Sequence, residues 1–409
     1  MKLKISIIAI LAVLGLGGTF LVMRHYQHKK AVKSLRKIIP YEFRVHAHDK
    51  SLKGYVLSSP YQQYKWYLGQ VMIMDMDGHV YLHKMTPGCA SDFRQWKLDG
   101  KIYYSYMLNN TDAFHINKNA VIAGYGVILD SAFNEIRQVR LLPHDDVVID
   151  KKQALDPHDL ILLSLDHYIA IACYEKNVNN VPGNLKPHPK LKIAADIIQE
   201  VKDGKVIWQW DASHYPEFYA SSTDKNNFSD SVTTQDYLHI NSMTLDPKDS
   251  NLICSFRNSD EVVKINRHTG DIMWRLGGIH SDFALLDSQR FQRQHDVTLT
   301  DNNQTLLVFD NGDSSKRKTS RVLEFQLDEK NKKVRSFKSF TIPAPYALTM
   351  GSVEKRNGHY FIGGGSGKYT IEIDPKTGIK GFDLHSNQLS FRTYWVDSIY
   401  GLEKRGVVH

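Results

Sequence analysis

Three histidines hold equivalent places in three repeated segments of the sequence. The segments read PHDLILLSLDHYIAIACYE, LHINSMTLDPKDSNLICSFRN and QHDVTLTDNNQTLLVFDNG. In each segment a polar residue begins a predicted strand, which is followed by a turn and a second, more apolar strand. The histidines are His158, His239 and His295, and Arg257 closes the hairpin that His239 opens. Because a hairpin returns to the end at which it starts, we expect Arg257 to lie near His239.

These four side chains suit an anionic substrate. A guanidinium offers a fork of donors to a tetrahedral oxyanion, and an imidazolium adds charge-assisted hydrogen bonds. A neutral imidazole could serve as nucleophile or general base, since its pKa lies near the working pH. Three histidines could also bind zinc and leave one position open, and Asp159 and Asp296 directly follow two of them. An arginine beside the site would repel the cation, so we expect neither a metal nor a cofactor.

The surrounding sequence predicts an all-β fold. Short runs rich in β-branched and aromatic residues alternate with Asp-Gly, Asn-Gly and Thr-Gly turns. Pairs of hairpins recur as units of roughly 40–80 residues, which is typical of propeller blades. Units begin near residues 158, 238, 294 and 347, and a fifth covers 92–140. The segments GQVMIMDMDGHVYLHKM and SFRTYWVDSIYGLEK would combine into a sixth that closes the ring, because an open ring leaves edge strands unpaired.

A propeller of six four-stranded blades explains how distant histidines could meet. The first strand of each blade lines the central channel, so equivalent positions of neighbouring blades face one another there. We therefore expect one pocket at one end of the channel. Cys89, Cys173 and Cys254 form no CxxC pair and are odd in number, so they predict neither a zinc site nor a disulfide framework.

The N-terminus carries the whole net charge of the chain. Residues 1–37 hold basic residues and no Asp or Glu, and they account for the net charge of +8. A nucleic-acid-binding protein should be basic over its folded body, so this class is excluded and a membrane surface is favoured. The apolar run 5–23 is long enough to cross a bilayer as a helix. No small-x-small site follows it, which favours an uncleaved anchor over a cleaved signal peptide.

Two long strings resemble the core motifs of the bacterial PAPS-independent arylsulfotransferases. They are LHINSMTLDPKDSNLICSFRNSDEVVKINRHTGDIMWRLGG and FQRQHDVTLTDNNQTLLVFDNG. DPHDL at 156–160 and FRTYWVD at 391–397 are similar to that family as well. The resemblance covers residues 90–400 and is strongest over 236–312.

The resemblance implies an aryl-sulfate sulfotransferase that moves a sulfuryl group from a phenolic sulfate ester to a phenol, without a nucleotide donor. His295 matches the nucleophile, which forms a sulfohistidine and gives ping-pong kinetics. His239, Arg257 and His158 match the residues that hold the sulfuryl oxygens. Asn241 matches a supporting polar position that contributes to substrate binding.

Residue chemistry agrees with these roles. If sulfuryl transfer resembles phosphoryl transfer, a loose transition state needs in-line positioning and charge stabilisation on the nonbridging oxygens. Arg257 supplies permanent charge, and either His158 or His239 could protonate the departing phenolate, with His239 favoured. Asp296 could orient the ring of His295.

The expected organisation is an anchor or signal segment at 1–23, a basic juxtamembrane linker with a short N-terminal segment at 24–62, and the propeller at 63–409. The expected partners are a small phenolic sulfate donor, a phenol acceptor and the membrane, with oligomeric state left open. The resemblance places the propeller outside the cell membrane, or secreted if the segment is cleaved. The basic flank after the apolar run alone would keep it cytoplasmic.

Two other functions compete with the transferase. One is a non-catalytic cell-surface propeller that binds an anionic ligand such as a sulfated or acidic glycan. The other is a metal-dependent hydrolase that uses the same histidines. All four matched residues are present, and this favours the transferase. The short N-terminal region, the compact stretch between Arg257 and His295 and the missing cysteine pair depart from the better-known periplasmic members. Substrate preference therefore stays open.

Overall fold

The computed structural model describes residues 40–62, 69–109, 124–145, 147, 155–300 and 303–399. Within these ranges the chain forms 25 strands and six short 3₁₀ turns, with no α-helix. Residues 42–399 belong to one compact unit. The all-β propeller predicted from the sequence is confirmed.

The strands are antiparallel and follow one another as meanders around a central channel. One sheet joins β2 (Tyr55–Tyr61), β3 (Gly69–Asp75), β4 (Val80–Thr86) and the last strand, β25 (Leu389–Val396). The largest sheet contains β5 (Ala90–Leu98), β6 (Lys101–Asn109), β7 (Gly124–Leu129), β8 (Glu135–Val139), β9 (Leu155–Ser164), β10 (His167–Asn177), β11 (Lys192–Lys202) and β12 (Lys205–Asp211).

The remaining three sheets come from the second half of the chain, with one strand added from the start. Two have four strands: β13 (Ile240–Leu245), β14 (Leu252–Phe256), β15 (Glu261–Ile265) and β16 (Ile272–Gly277); then β17 (Val297–Thr300), β18 (Thr305–Asp310), β19 (Arg321–Asp328) and β20 (Lys333–Thr341). The third has five: β21 (Ser352–Arg356), β22 (His359–Gly363), β23 (Tyr369–Ile373), β24 (Lys380–Ser386) and β1 (Phe43–His48).

The prediction of six separate four-stranded blades is wrong in its count, because the described strands form five hydrogen-bonded sheets. The largest sheet consists of two four-stranded meanders, β5–β8 and β9–β12, and β7 meets β9 at the single pair Gly124 and Leu155. Strand β1 makes another sheet five-stranded rather than four-stranded. The pairings of β7 with β9 and of β1 with β24 depend on which strands lie close together in the folded protein, so the repeat pattern of the sequence does not predict them.

The turn residues explain where several hairpins form. Asp203 and Gly204 connect β11 to β12, and both have positive φ, at 50° and 72°. This is the geometry of a type I′ turn, whose twist matches that of the flanking strands and which favours Asp-Gly and Asn-Gly. Asn357 and Gly358 form the same kind of connection between β21 and β22, with φ of 50° and 86°.

The first and last parts of the described chain share one sheet. Strand β25 pairs with β2, and β2 pairs with β3, so the expected joining of N- and C-terminal segments is confirmed. Strands β1 and β2 lie within residues 24–62, for which the sequence predicts a linker, and β-structure therefore starts before residue 63. The predicted anchor or signal segment at 1–23 and the first part of the predicted juxtamembrane linker, up to residue 39, lie outside the described residues. Within the part that the structure describes, no helix has the length and apolarity to span a bilayer.

Neighbouring sheets pack through apolar faces and are tied together along the channel. For example, Ile253 and Val262 of one sheet pack with Val308 and Leu323 of the next, and all four are buried. Full burial of such a side chain contributes about 1.5–3 kcal/mol. Along the channel, a polar side chain of one inner strand accepts a backbone N–H of the next. These contacts are Asp159 to Met243 (3.0 Å), Ser242 to Val297 (3.2 Å), Asp296 to Val353 (2.9 Å) and Ser352 to Thr393 (3.0 Å).

Candidate active site

The three predicted histidines meet at one end of the channel. His158 lies in β9, His239 immediately precedes β13 and His295 precedes β17 by two residues. The ring centroids of His158 and His239 are 4.9 Å apart, and those of His158 and His295 are 6.0 Å apart. The structure therefore brings together side chains from three consecutive repeats, as the repeat alignment predicts.

The hydrogen bonding of His295 fixes its tautomer. Its Nδ1 lies 2.8 Å from the carbonyl oxygen of Gly351. A carbonyl oxygen only accepts, so Nδ1 carries the hydrogen and donates it. The other ring nitrogen, Nε2, is buried and has no hydrogen-bond partner among the described residues. In the neutral ring this atom carries a free lone pair.

The surroundings of His295 keep its ring neutral. Only 4% of the residue is exposed. Burial, together with the positive charge of Arg392 and the nearby ring of His158, holds the pKa of His295 well below its usual value. The ring is therefore unprotonated near neutral pH, and Nε2 is available as a nucleophile.

The pKa of His239 is shifted in the opposite direction. Its Nδ1 donates to Oδ2 of Asp236 at 2.7 Å. Burial alone would lower the pKa of His239, but the charge and hydrogen bond of Asp236 outweigh it and raise the pKa. With Nδ1–H held by the carboxylate, an imidazolium at this position has its Nε2–H left to donate.

The backbone of His239 is held in an unusual conformation. Its φ is +61°, in the left-handed region that non-glycine residues seldom occupy. The His239 N–H donates to Oδ2 of Asp196 at 3.0 Å, and the His239 carbonyl accepts the N–H of Arg257 at 3.0 Å. Strained residues of this kind persist only where the surroundings determine them, and they cluster at functional sites.

His158 has a carboxylate partner of its own. Its Nδ1 hydrogen-bonds Oδ1 of Asp156, and the Asp156 carboxylate also accepts the backbone N–H of His158 at 2.9 Å. The His158 side chain is 17% exposed. This pairing fixes the ring orientation and turns Nε2 away from the carboxylate.

Arg257 is half-buried and lies at the same end as His239, as the hairpin predicts. Residue Ile240 pairs with Phe256, and Arg257 begins the 3₁₀ turn that follows. Its Nη1 donates to Oδ1 of Asn258 at 2.7 Å. It forms no ion pair within the described ranges. Burial and the neighbouring Arg293 guanidinium lower its pKa, yet a guanidinium stays charged at neutral pH. A half-buried cation without a direct ion pair is suited to an anion.

Asn241 is fully buried and connects two parts of the site. Its Nδ2 donates to the carbonyl oxygen of Gln294 at 2.8 Å, directly before His295 in the chain. Its Oδ1 has no hydrogen-bond partner among the described residues. Asn241 therefore fixes the segment that carries His295 relative to β13.

Asp296 does not orient the ring of His295, and this prediction is wrong. Its Oδ2 accepts the N–H of Val353 at 2.9 Å, and its Oδ1 lies 3.8 Å from Nε of Arg392. The His295 N–H donates to the Phe309 carbonyl and the Asp296 carbonyl accepts the Phe309 N–H, so two residues face one partner. The Asp296 carboxylate is thus bonded to the next inner strand, and it makes no hydrogen bond to the ring of His295 among the described residues. The Gly351 carbonyl has that role.

The sequence reasoning missed several neighbours of the histidines. The ring of Phe391 meets the rings of His158 and His295 edge-on, with centroids 5.5 Å and 4.9 Å apart. Asp156 and Asp236 stand two and three residues before their histidines, and that spacing could have revealed them. Gly351 comes from a distant strand connection and gives no such signal.

Two carboxylate clusters within the described ranges have metal-like spacing, and neither includes the three histidines. One comprises Asp75, Asp77 and His79 at the surface. The other comprises Asp246, Asp249 and Glu329, and the Lys264 ammonium lies within 2.9 Å of all three.

Comparisons with known proteins give one strong match and several weak ones. Solved structures with some likeness include a protein of unknown function from Bacteroides caccae, with 11% identity, TM-score 0.47 and coverage of 85% of this chain and 100% of that one. The periplasmic gluconolactonase PpgL of Pseudomonas aeruginosa has 13% identity, TM-score 0.46 and coverage of 84% and 99%. No curated protein matches the sequence significantly. The family model Arylsulfotransferase (ASST) matches residues 61–400, most of the chain. The chain belongs to the arylsulfotransferase family.

Proposed function

We propose that the protein transfers a sulfuryl group from a phenolic sulfate ester to a phenol through a sulfohistidine on Nε2 of His295. Family membership implies a sulfotransferase with small phenolic substrates. The observation that carries the finer proposal is the bare, buried Nε2, whose ring is fixed through Nδ1 by the Gly351 carbonyl. A site that only binds an anion would gain more from a protonated ring at this position.

In the first half-reaction, the Nε2 lone pair of His295 attacks sulfur and the bond from sulfur to the phenolic oxygen breaks. The departing phenolate takes the Nε2 proton of His239, which leaves that ring neutral. The sulfated His295 ring carries positive charge that its anionic sulfuryl group balances, and the Gly351 carbonyl stabilises this charge through Nδ1–H. In the second half-reaction, neutral His239 takes the proton of the acceptor phenol, the phenol oxygen attacks sulfur, and His295 is released unchanged.

Arg257 and His158 would hold the nonbridging oxygens of the sulfuryl group. Arg257 forms no direct ion pair in the described part of the chain, although the charges of Asp236, Asp224 and Asp260 act on it, so its donors are available to the substrate. Preorganised donors in a site with little water stabilise developing charge without reorganising during the reaction. The Asp156 carboxylate holds the His158 ring in one orientation, as the second partner of a positioned histidine commonly does.

We also propose that residues 1–23 anchor the propeller to the outer face of the cytoplasmic membrane. The apolar run 5–23 and its basic flank support membrane contact, and the family resemblance supports an external location. Protease treatment of intact cells would test it. Digestion of the propeller in intact cells is expected, whereas protection until the membrane is broken would contradict it.

Intact mass after mixing with 4-nitrophenyl sulfate, in the absence of acceptor, tests the mechanism. We expect one added sulfuryl group on His295, with one equivalent of nitrophenol released. His295→Ala should lose both. His268→Ala is the matched control, because His268 is exposed in a turn and should not affect the adduct. Normal turnover by His295→Ala, or an adduct on another residue, would refute the mechanism.

A further inference from the structure

A buried ionic cluster lies in the channel next to the histidines. Its centre is Arg392 of β25, whose side chain has no exposed surface. Its Nη1 donates to Oδ1 of Asp92 at 3.0 Å and to Oδ2 of Asp159 at 3.1 Å. Burial of a guanidinium is unfavourable unless charges and hydrogen bonds compensate it, so this arrangement is not a default of propeller packing.

The same guanidinium lies against a residue next to or near each of the three histidines. Its Nη2 donates to the carbonyl oxygen of Asn241 at 2.7 Å, and its Nε lies 3.8 Å from Oδ1 of Asp296. Asp159 directly follows His158, Asn241 is two residues after His239, and Asp296 directly follows His295. One side chain therefore hydrogen-bonds the segments of His158 and His239, and its Nε, which has no hydrogen-bond partner among the described residues, lies within ion-pair distance of the segment of His295.

Arg392 suits this task because its donors are fixed in one plane. Each of its partners belongs to a different inner strand segment, and a fork of five N–H groups can serve several acceptors at once. A lysine would place a single point charge there, with donors that cannot span the same acceptors. The charge also lies close enough to the His295 ring to contribute to its low pKa.

Arg94 provides an internal comparison. Its Nε donates to Oδ1 of Asp92 at 2.9 Å and its Nη2 lies 3.1 Å from Oδ1 of Asp159, so it shares two carboxylates with Arg392. It has no hydrogen bond to Asn241 among the described residues, and its side chain is 19% exposed. Arg94 therefore belongs to the cluster but does not reach the segments of His239 and His295.

We propose that Arg392 is a positioning residue for sulfuryl transfer, whose single guanidinium fixes the three histidine-bearing segments relative to one another. This inference rests on the proposed function of His295. Arg392 hydrogen-bonds none of the three histidine rings among the described residues, and it acts through Asp159, Asn241 and Asp296. The charged and titratable groups that face His295 are Arg392, His158 and His239, and of these Arg392 has a fixed charge.

The test compares Arg392→Lys, Arg392→Gln and the control Arg94→Lys in the full chain. The imidazole nitrogens are followed by NMR in protein labelled with ¹⁵N-histidine, and release of nitrophenol in the first half-reaction is followed against pH. Arg392→Lys retains the positive charge but loses the planar set of guanidinium donors. We expect the first half-reaction to slow about 100-fold, since a misplacement of reacting groups by about 1 Å can have an effect of this size. Arg392→Gln loses the charge, and the pKa of His295 should rise, which shifts the acidic limb of the rate profile to higher pH. Arg94→Lys should leave the His295 titration unchanged.

The NMR titration separates this proposal from the proposed function, because it reports on His295 whether or not His295 is the nucleophile. If Arg392→Gln leaves the tautomer and pKa of His295 unchanged, the proposal is overturned. Equal effects of Arg94→Lys and Arg392→Lys on the first half-reaction would also overturn it. Failure of both Arg392 variants to fold would assign the residue to ring closure instead of positioning. Loss of the sulfuryl adduct from wild-type protein would count against the proposed function alone.

Discussion

The pairing of His239 with Asp236 leads to a quantitative prediction about the general acid. Asp236→Asn keeps the shape of the partner but removes its negative charge. The burial that lowers the pKa of His239 stays, and so does the neighbouring Arg257 charge that also lowers it. The pKa of His239 should therefore fall from its raised value to below that of an ordinary histidine.

The size of the change follows from the hydrogen bond. The Nδ1 to Oδ2 distance is 2.7 Å, and the two side chains are 19% and 16% exposed, so solvent screens the pair only partly. A hydrogen bond to a charged group contributes about 1.5–3 kcal/mol. Each 1.4 kcal/mol is about a tenfold change in an equilibrium constant, so loss of this bond should weaken proton binding by His239 about 10–100-fold and lower its pKa. A general acid works in its protonated form, so the basic limb of the rate profile should move down by the same amount.

The assay uses two donors that differ in their need for a proton. 4-Nitrophenolate is a stable anion and leaves readily, whereas unsubstituted phenolate needs protonation as it departs. Asp236→Asn should therefore reduce the rate with phenyl sulfate by about 10–100-fold above the shifted pKa, since each pKa unit is a tenfold change. The loss with 4-nitrophenyl sulfate should be clearly smaller.

Asp156→Asn is the matched control, because it removes the carboxylate partner of His158. If His239 is the acid, this control should weaken donor binding without making the rate more dependent on the leaving group. Equal leaving-group dependence in the two variants would refute the assignment of His239. If the basic limb of the pH–rate profile is unchanged in Asp236→Asn, the Asp236 carboxylate does not raise the pKa of His239 and the electrostatic argument is refuted.

Two further predictions concern the support of His295. Gly351 has φ of +107° and an added Cβ would lie 2.6 Å from the ring of Phe309, so Gly351→Ala should lower the melting temperature strongly and reduce activity. The control Gly358→Ala, at φ of +86° with open space around it, should lower the melting temperature only slightly. Equal melting temperatures of the two variants would contradict the argument. The depressed pKa of His295 means that the unfolded chain binds a proton that the folded chain resists as the pH falls below about 6.5. Stability should therefore decline with acidification in that range, and less steeply in His295→Gln, as urea unfolding at several pH values would measure.

The repeats predicted most of the strands because strand periodicity and turn chemistry are local. Asp203-Gly204 and Asn357-Gly358 form the type I′ turns that their sequence favours. The sequence does not predict strand β2. Its run YVLSSPY contains Pro60, and a proline lacks the N–H that pairs neighbouring strands, so it occurs inside a sheet only at a bulge or similar irregularity. The structure has a register shift between Ser58 and Pro60 at that point. The pairing of β7 with β9 is tertiary, and local patterns cannot predict it.

The sequence predicts those site residues that occupy equivalent positions in the repeated segments. Equivalent positions brought the histidines together, and the hairpin placed Arg257 beside His239. Adjacency in sequence does not reveal that Asp296 bonds Val353 of the next inner strand and not the ring of His295. Gly351 and Arg392 could not be found, because each reaches the site from another inner strand after the ring has closed.

The sheet that joins both ends of the described chain has a consequence for synthesis. Ser59 and Ser390 are hydrogen-bonded although 331 positions separate them. Contacts of such long range form late in folding, because loop closure must precede them. The ribosome also delivers β25 after the other described strands, and β25 carries Phe391 and Arg392. A nascent chain that has folded its earlier sheets thus still lacks the residues that complete the histidine pocket, and competence for chemistry should arise in one step when the last strand is released.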